Sequence, residues 1–273
     1  MDLFSLKDKI VIVTGASGLL GREHVAAIAD AGGTPVLLDL NEEILNKQVS
    51  DLNSKYEIDA SAFSVDITDE DQIDKSCKAI IAKYGKIDGL VNNAANNPKV
   101  ENTTDINFSR LENFPSNVWH MDLDVALKGT FLCIKYYGFE ISKNVDGGSI
   151  VNISSDLGLI SPDQRLYRVD GVEESMQPVK PITYSVVKTG IIGITKYVST
   201  YWAHRNVRCN VVCPGGVENN QNEEFVSELI KRIPMNRMAH KTEYHGVIIF
   251  LLSLASSYIN GATISADGGR TAW

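Results

Sequence analysis

The stretch Lys9–Gly21, KIVIVTGASGLLG, constrains this chain more than any other. Ile10 to Val13 is an unbroken apolar run rich in β-branched residues, the pattern of a strand buried on both faces of a parallel sheet. Gly15, Gly18 and Gly21 follow at even spacing. An amphipathic stretch with Leu19, Leu20, Val25, Ile28 and Ala29 then runs to Gly32 and Gly33, where a helix can stop. Strand, glycine turn and helix in that order can cradle a dinucleotide. Glycines let the backbone approach a pyrophosphate, and the helix start offers unpaired N–H groups with partial positive charge. Turns collect glycine anyway, so the triplet alone is weak. The context strengthens it: a second strand, Pro35 to Leu38, leads to Asp39, where a ribose-binding carboxylate belongs.

Asp39 also selects between cofactors. A carboxylate can accept hydrogen bonds from both ribose hydroxyls of NAD. The 2′-phosphate of NADP would lie against it, and one such charge pair at about 4 Å costs on the order of 4 kcal/mol in a surface-like dielectric. No Arg or Lys lies within Asp39-Leu40-Asn41-Glu42-Glu43 to offset this. Arg22 begins the helix behind Gly21 and is not assigned to a phosphate. The competing role for Asp39, capping the next helix, suits Asn41 better.

At 273 residues the chain can bury one large α/β core, and 44% hydrophobic with 22% charged residues suits a globular protein. A net charge of −8 argues against nucleic acid or an anionic membrane as partner. The densest apolar run, Gly246 to Leu252, is too short to span a bilayer, and MDLFSLKDK does not read as a signal peptide. Cys77, Cys133, Cys209 and Cys213 sit in apolar segments without metal-ligand spacing, so no metal site is expected. They read as buried thiols of a reducing compartment, which makes the cytoplasm the expected location.

Taken in order, the pattern predicts helices over about 41–56, 69–84, 116–142, 184–205, 222–232 and 242–253. Strands are expected over 60–65, 87–91, 149–153, 207–212 and 262–266. Alternation of this kind implies a parallel sheet with right-handed crossovers in a single domain, 1–273. Asp66 ends the third strand; it either meets an adenine amine or caps the helix that starts near Asp69. Small residues in the long helix, Ala126 and Gly129, mark places where another segment can come close. Two long irregular segments interrupt the order, Asn96–Pro115 and 156–182, and loops of this size usually carry function.

Eight pieces together resemble the short-chain dehydrogenase/reductase family over nearly the full length. They are TGASGLLG (14–21), Asp39, Asp66, NNAA (92–95), NISS (152–155), YSVVK (184–188), NVVCPGG (210–216) and ADGG (266–269). The resemblance implies a single-domain Rossmann fold, a doubly wound parallel sheet of about seven strands. The nicotinamide would lie at the carboxyl ends of the strands. It implies NAD held by Gly15, Ser17, Gly18, Leu19, Leu20, Asp39, Asp66, Ile67, Asn93, Ala94, Ala95, Tyr184, Lys188, Pro214, Gly215, Val217 and Asn219. It further implies a small-molecule substrate and a homotetramer or homodimer, the tetramer built on the long fourth and fifth helices and the C-terminal strand.

The chemistry also follows from the residues. Hydride transfer between an alcohol carbon and nicotinamide needs a group that moves the hydroxyl proton. Tyr184 is the candidate, but a free tyrosine, with a pKa near ~10, is a poor base at neutral pH. Lys188 stands one helical turn on, on the same face, and its ammonium favours tyrosinate. Ser155 would hold the substrate oxygen. Ser155, Tyr184 and Lys188 are thus the expected catalytic set, with Lys188 also on the nicotinamide ribose.

Four positions depart from the family pattern. Leu19 stands where its middle glycine usually lies, the glycine being Gly18, a spacing found in an epimerase-like branch. Ala95 replaces a glycine. Ala126 replaces an asparagine that anchors a water between the lysine and solvent, and Asn219 replaces a threonine that contacts the carboxamide. Residues between Ser155 and Tyr184 form a longer segment than usual and should shape substrate choice. SPDQRLY, ITYSVVKTGIIGITKY and ADGGRTAW are similar to a subgroup of bacterial surface-sugar pathways, such as flagellin glycan or nonulosonate modification. Arg165, Arg168 and Lys180 could then suit an anionic sugar. The expected activity is NAD-dependent alcohol–carbonyl interconversion on a sugar or sugar derivative. The alternatives are a non-catalytic NAD-binding scaffold, or an epimerase or dehydratase using NAD transiently.

Overall fold

Seven short runs form one parallel sheet in the computed structural model, which describes residues 2–96 and 106–273. The strands are β1 (Ile10–Thr14), β2 (Thr34–Asp39), β3 (Ser61–Ser64), β4 (Gly89–Asn92), β5 (Gly148–Ile153), β6 (Val207–Pro214) and β7 (Thr263–Ala266). Their order across the sheet is β3-β2-β1-β4-β5-β6-β7. The crossovers run through α1 (Leu19–Asp30), α2 (Glu42–Tyr56), α3 (Glu70–Tyr84), a helical run α4 (116–141), α5 (Ile182–Tyr201), α6 (Glu223–Ile230) and α7 (His245–Leu252).

β1 shows why the sheet is covered on both faces. All five of its residues are buried. Ile10 and Ile12 join one apolar cluster with Leu38, Ile80, Leu132 and Tyr137, while Val11 and Val13 join another with Leu37, Ile28, Ile248 and Leu251. Alternate side chains therefore feed two cores, one under each layer of helices. β1 pairs with both β2 and β4, so the strand order reverses there. Such a reversal opens a crevice beyond the carboxyl ends of the strands.

Local signals fix the helix ends. Asn41 Oδ1 accepts from the Ile44 N–H at 3.0 Å and so caps α2, as expected. Asp69, not Asp66, caps α3: its carboxylate accepts from the Asp71 and Gln72 N–H groups. Asp66 instead closes its own turn, its Oδ1 accepting from Thr68 N–H and Oγ1 at 2.8 Å each.

The long fourth helix is not uniform. π turns at Asp124–Lys128 and Ile134–Gly138 separate its α-helical pieces. Gly129 answers to a close approach: a Cβ there would lie 2.6 Å from Ile67 Cδ1. α5 starts at Ile182, so Tyr184 lies in its first turn and does not open it. The helix expected over 242–253 is a 3-10 turn, Lys241–Tyr244, followed by α7. Residues 97–105 of the 96–115 loop lie outside the described residues; its remainder carries 3-10 turns at Ile106–Ser109 and Leu111–Asn113.

The 156–182 segment is irregular but well tied. It holds three 3-10 turns, and Gln177 binds its backbone at Val169 and Val172 over 2.7–3.0 Å. Leu166 packs with Leu229, Ile233 and Met238, and Tyr167 stacks obliquely on Phe225. The segment thereby closes against α6. All four cysteines are free and buried, and burial pushes the Cys77 and Cys209 thiols up to about 12. No helix is long and apolar enough to cross a membrane among the described residues.

Candidate active site

The glycine turn has geometry that side chains would block. Gly15 is in the left-handed region at φ 63°, and a Cβ on it would lie 2.8 Å from Ala94 Cα. A Cβ on Gly21 would lie 2.0 Å from the Gly15 carbonyl oxygen. Gly18 is the N-cap of α1 and offers no side chain to satisfy the first amides of that helix. Gly18, Leu19 and Leu20 at this helix start border one cavity. The turn is a cradle that an anionic pyrophosphate fits.

Asn93 locks this turn to the neighbouring strand. Its Nδ2 donates to the carbonyls of Thr14 and Gly15 at 3.1 Å, and Thr14 Oγ1 accepts from the Asn93 and Ala94 N–H groups. Asn93 therefore works through the turn as well as lining the cavity. Asp39 is held from the other side: Ser17 N–H and Oγ donate to its Oδ2 at 2.9 and 2.6 Å, and Leu40 N–H to its Oδ1 at 2.7 Å. Arg22, left unassigned by the sequence, donates from Nε to the Ser17 carbonyl at 2.8 Å, which ties its guanidinium to the turn.

All eighteen sequence-predicted site residues border one cleft of about 640 Å³. Asp39 and Asp66 lie at one end with Ile67; Ser155, Tyr184 and Lys188 lie at the other. Ala94, Ala95, Pro214, Gly215, Val217 and Asn219 complete the lining. A Cβ on Gly215 would lie 2.8 Å from Asp267 Cα, so this turn packs tightly on the C-terminal segment. The Asn219 N–H donates to Gln221 Oε1 at 2.8 Å, and Gln221, which sequence reasoning missed, also borders the cleft.

Lys188 is buried, and its Nζ donates to the Ile153 carbonyl at 3.1 Å. Burial lowers its pKa to about 8, the Lys180 charge adds to this, and Cys213 opposes it. Lys180, from the irregular segment, is lowered to about 8 by burial against the opposing charge of Asp156. Two ammoniums lie over the Tyr184 ring, Lys180 Nζ 3.9 Å and Lys188 Nζ 5.8 Å from its centroid. Burial raises the Tyr184 pKa, a hydrogen bond from Ser155 works towards phenolate, Asp156 works against it and Arg270 for it. Cations close to a phenol favour its ionised form.

Ala126 is buried in the first π turn of α4 and does not border the cleft. That turn packs on α5, where a Cβ on Gly190 would lie 2.8 Å from Leu127 Cδ2. A clamp beside it joins the same helices: Thr183 Oγ1 donates to Asp122 Oδ2 at 2.5 Å.

The arginines of the irregular segment are spoken for. Arg165 forms a two-pronged pair with Asp163, which Arg232 also holds, and Arg168 pairs with Glu174. Neither borders the cleft. Lys180 does, and so does Arg270, which sequence reasoning missed. Arg270 Nη1 donates to Asp156 Oδ2 at 2.6 Å in a buried ion pair. Asp156 Oδ1 accepts in turn from Ser155 Oγ at 2.7 Å.

Comparison with known proteins identifies the family. A family model described as enoyl-(acyl carrier protein) reductase matches residues 15–271. A 3-oxoacyl-(acyl-carrier-protein) reductase of Thermotoga maritima is 31% identical over 97% of this chain and 98% of its own. The chain belongs to the short-chain dehydrogenase/reductase family. The 2-dehydro-3-deoxy-D-gluconate 5-dehydrogenase of Escherichia coli is 27% identical over 98% of both chains. The crystal structure of a gluconate 5-dehydrogenase from Burkholderia cenocepacia, in complex with NADP and tartrate, superposes with a TM-score of 0.86 at 25% identity. That match covers 100% of this chain and 98% of the other. As a short-chain dehydrogenase/reductase, this protein is a nucleotide-dependent oxidoreductase that acts on CH–OH groups.

Proposed function

We propose that the chain is an NAD-dependent oxidoreductase that interconverts an alcohol and a carbonyl on a sugar or sugar derivative. The observation that carries this reading is one cleft with a fixed carboxylate at one end and a Ser–Tyr–Lys set at the other. The amides of the glycine turn and Ser17 suit the pyrophosphate, Asp39 the adenosine ribose and Asp66 the adenine. Lys188 suits the nicotinamide ribose, and Pro214, Gly215, Val217 and Asn219 the carboxamide. Nicotinamide, when bound, supplies the hydride acceptor or donor. Tyr184 then takes the hydroxyl proton of an alcohol, or returns it to a carbonyl oxygen, while Ser155 holds that oxygen. Lys188 favours the phenolate by its charge.

Asp39 supports NAD over NADP because its charge is pinned in place by Ser17 and Leu40. The sugar-acid activities of the relatives from Escherichia coli and Burkholderia cenocepacia support the substrate class. Exposed Met121, Phe131 and Phe139 on α4, with Tyr197 and Tyr201 on α5, support a homotetramer or homodimer. The net charge and the buried thiols support a cytoplasmic enzyme. Ala126 favours the second reading, a scaffold that binds NAD without turnover, and Gly18 favours transient redox in an epimerase or dehydratase. Purified protein incubated with NAD and a panel of polyols, sugar acids and nucleotide sugars tests these readings. NADH formed on one compound supports the dehydrogenase. NAD binding with no NADH on any of them supports the others.

A further inference from the structure

Ser155 has one hydroxyl proton and two acceptors that want it. The proton is donated to Asp156 Oδ1 at 2.7 Å, while the Tyr184 oxygen is also a hydrogen-bonding neighbour. The Leu157 N–H donates to both Asp156 Oδ1, at 2.8 Å, and Ser155 Oγ, at 3.2 Å, which holds the two side chains in register. Asp156 is in turn fixed by Arg270, with both side chains under a tenth exposed.

The far end of the chain is shaped to deliver that arginine. Asp267 accepts from the Gly269 N–H at 3.0 Å and from Thr271 N–H and Oγ1 at 2.9 and 2.6 Å. Gly268 and Gly269 lie at φ 66° and 88°, a conformation other residues rarely adopt. The Met235 N–H donates to the Gly268 carbonyl. This closed turn places Arg270 across the cleft from β5, 114 residues from its partner. Such a buried pair contributes little to stability on its own, because desolvation offsets the attraction. Its contact with the serine gives it another role.

We propose that Asp156, clamped by Arg270, is the positioning residue for Ser155, and that the pair decides whether the serine proton faces a carboxylate or the Tyr184 oxygen. This rests on the reading above for the role of Tyr184. A bare Asp156 competes strongly for the proton; Arg270 spreads its charge and weakens that pull. Removing the carboxylate frees the proton for the phenolate, and removing the arginine commits it to Asp156. The other ionisable groups facing Tyr184 are Lys188 on its own helix, and Lys180 and Tyr167 from the irregular segment; the variants below leave all three in place.

The test is the ionisation of Tyr184 in the nucleotide-free full chain, followed by tyrosinate absorbance. Each variant is paired with the same variant carrying Tyr184→Phe, so that one of the ten tyrosines is isolated. Asp156→Asn should move the transition to lower pH, Arg270→Gln to higher pH, and the double variant should fall between them. In a Ser155→Ala background the Asp156→Asn displacement should shrink. An unchanged transition in both single variants overturns the proposal. So does a displacement of both to lower pH, the mark of loosened packing that admits water, or one that is the same with and without Ser155. If Asp156→Asn does not fold, Arg270→Gln compared with the wild type and the double variant reads the same competition. Because no nucleotide or substrate is used, a chain that fails to form NADH still reports on this proposal.

Discussion

Replacing Asp39 with asparagine removes one charge and turns one of its two acceptor oxygens into a donor. The carboxylate is held by three donors, two from Ser17 and one from Leu40, at 2.6–2.9 Å. It is therefore not able to swing away from a phosphate on the adjoining ribose. At about 4 Å and an effective dielectric near ~20, the repulsion is on the order of 4 kcal/mol, or about a thousandfold in affinity. Asp39 is partly open to water, so screening trims this to roughly a hundredfold. Asparagine keeps an acceptor for Ser17 and for a ribose hydroxyl. Calorimetric titration of NADH and NADPH into wild type and Asp39→Asn should give a wild type that prefers NADH. In the variant, NADPH should tighten by roughly a hundredfold while NADH changes by less than about tenfold. A wild type that binds NADPH as tightly as NADH, or a ratio unmoved by the substitution, would refute the argument. Arg22 on the Ser17 carbonyl would then be the better guide to cofactor choice.

Gly21→Ala places a methyl 2.0 Å from the Gly15 carbonyl oxygen, so the turn must shift. Overpacking of this kind costs about 1–3 kcal/mol. The melting temperature should fall and nucleotide affinity should drop by more than tenfold; an unaltered affinity would mean the turn does not hold the pyrophosphate. Lys188→Met should stabilise the fold at neutral pH. Burial lowers the folded-state pKa to about 8, so the unfolded chain holds the proton more tightly. The wild type carries the whole cost below pH 8 and regains it as pH rises towards about 10.5, the unfolded value. The gain is on the order of 3 kcal/mol at pH 7, less the lost bond to Ile153, and should vanish above about pH 10.5. Urea unfolding across this range checks it, and a gain independent of pH would contradict the assignment.

The architecture is largely legible because its signals are local. A buried strand announces itself as an apolar run, and β1 alternates its side chains between two cores as a doubly covered sheet requires. The glycine turn, Asp39 and the Tyr184–Lys188 pair are each set within a few residues, so sequence spacing finds them. Asp66 shows the limit of this: its carboxylate goes to Thr68, two residues on, and Asp69 takes the helix cap. Arg165 and Arg168 look available in sequence, but their partners Asp163 and Glu174 are close by. The contacts that shape the reacting end are different. Arg270 meets Asp156 only because β7 lies at the sheet edge and a closed turn brings the C-terminal segment back over the cleft. Leu166 and Tyr167 join the wall by packing on α6, which no periodicity in an irregular segment can reveal. The π turns of α4 are equally hidden, since their sequence is that of an ordinary helix.

Turnover by wild type and Tyr184→Phe, measured side by side as NADH formation on the polyol and sugar-acid panel with nucleotide binding followed in parallel, tests the central claim most directly. Removal of a positioned acid–base group lowers turnover by about 10²–10⁴-fold. The expected result is NADH from the wild type on at least one compound, a loss of that size in Tyr184→Phe, and NAD binding retained by the variant. A Tyr184→Phe protein that turns over at the wild-type rate, or a wild type that binds NAD and reduces none of it on any compound, would contradict it.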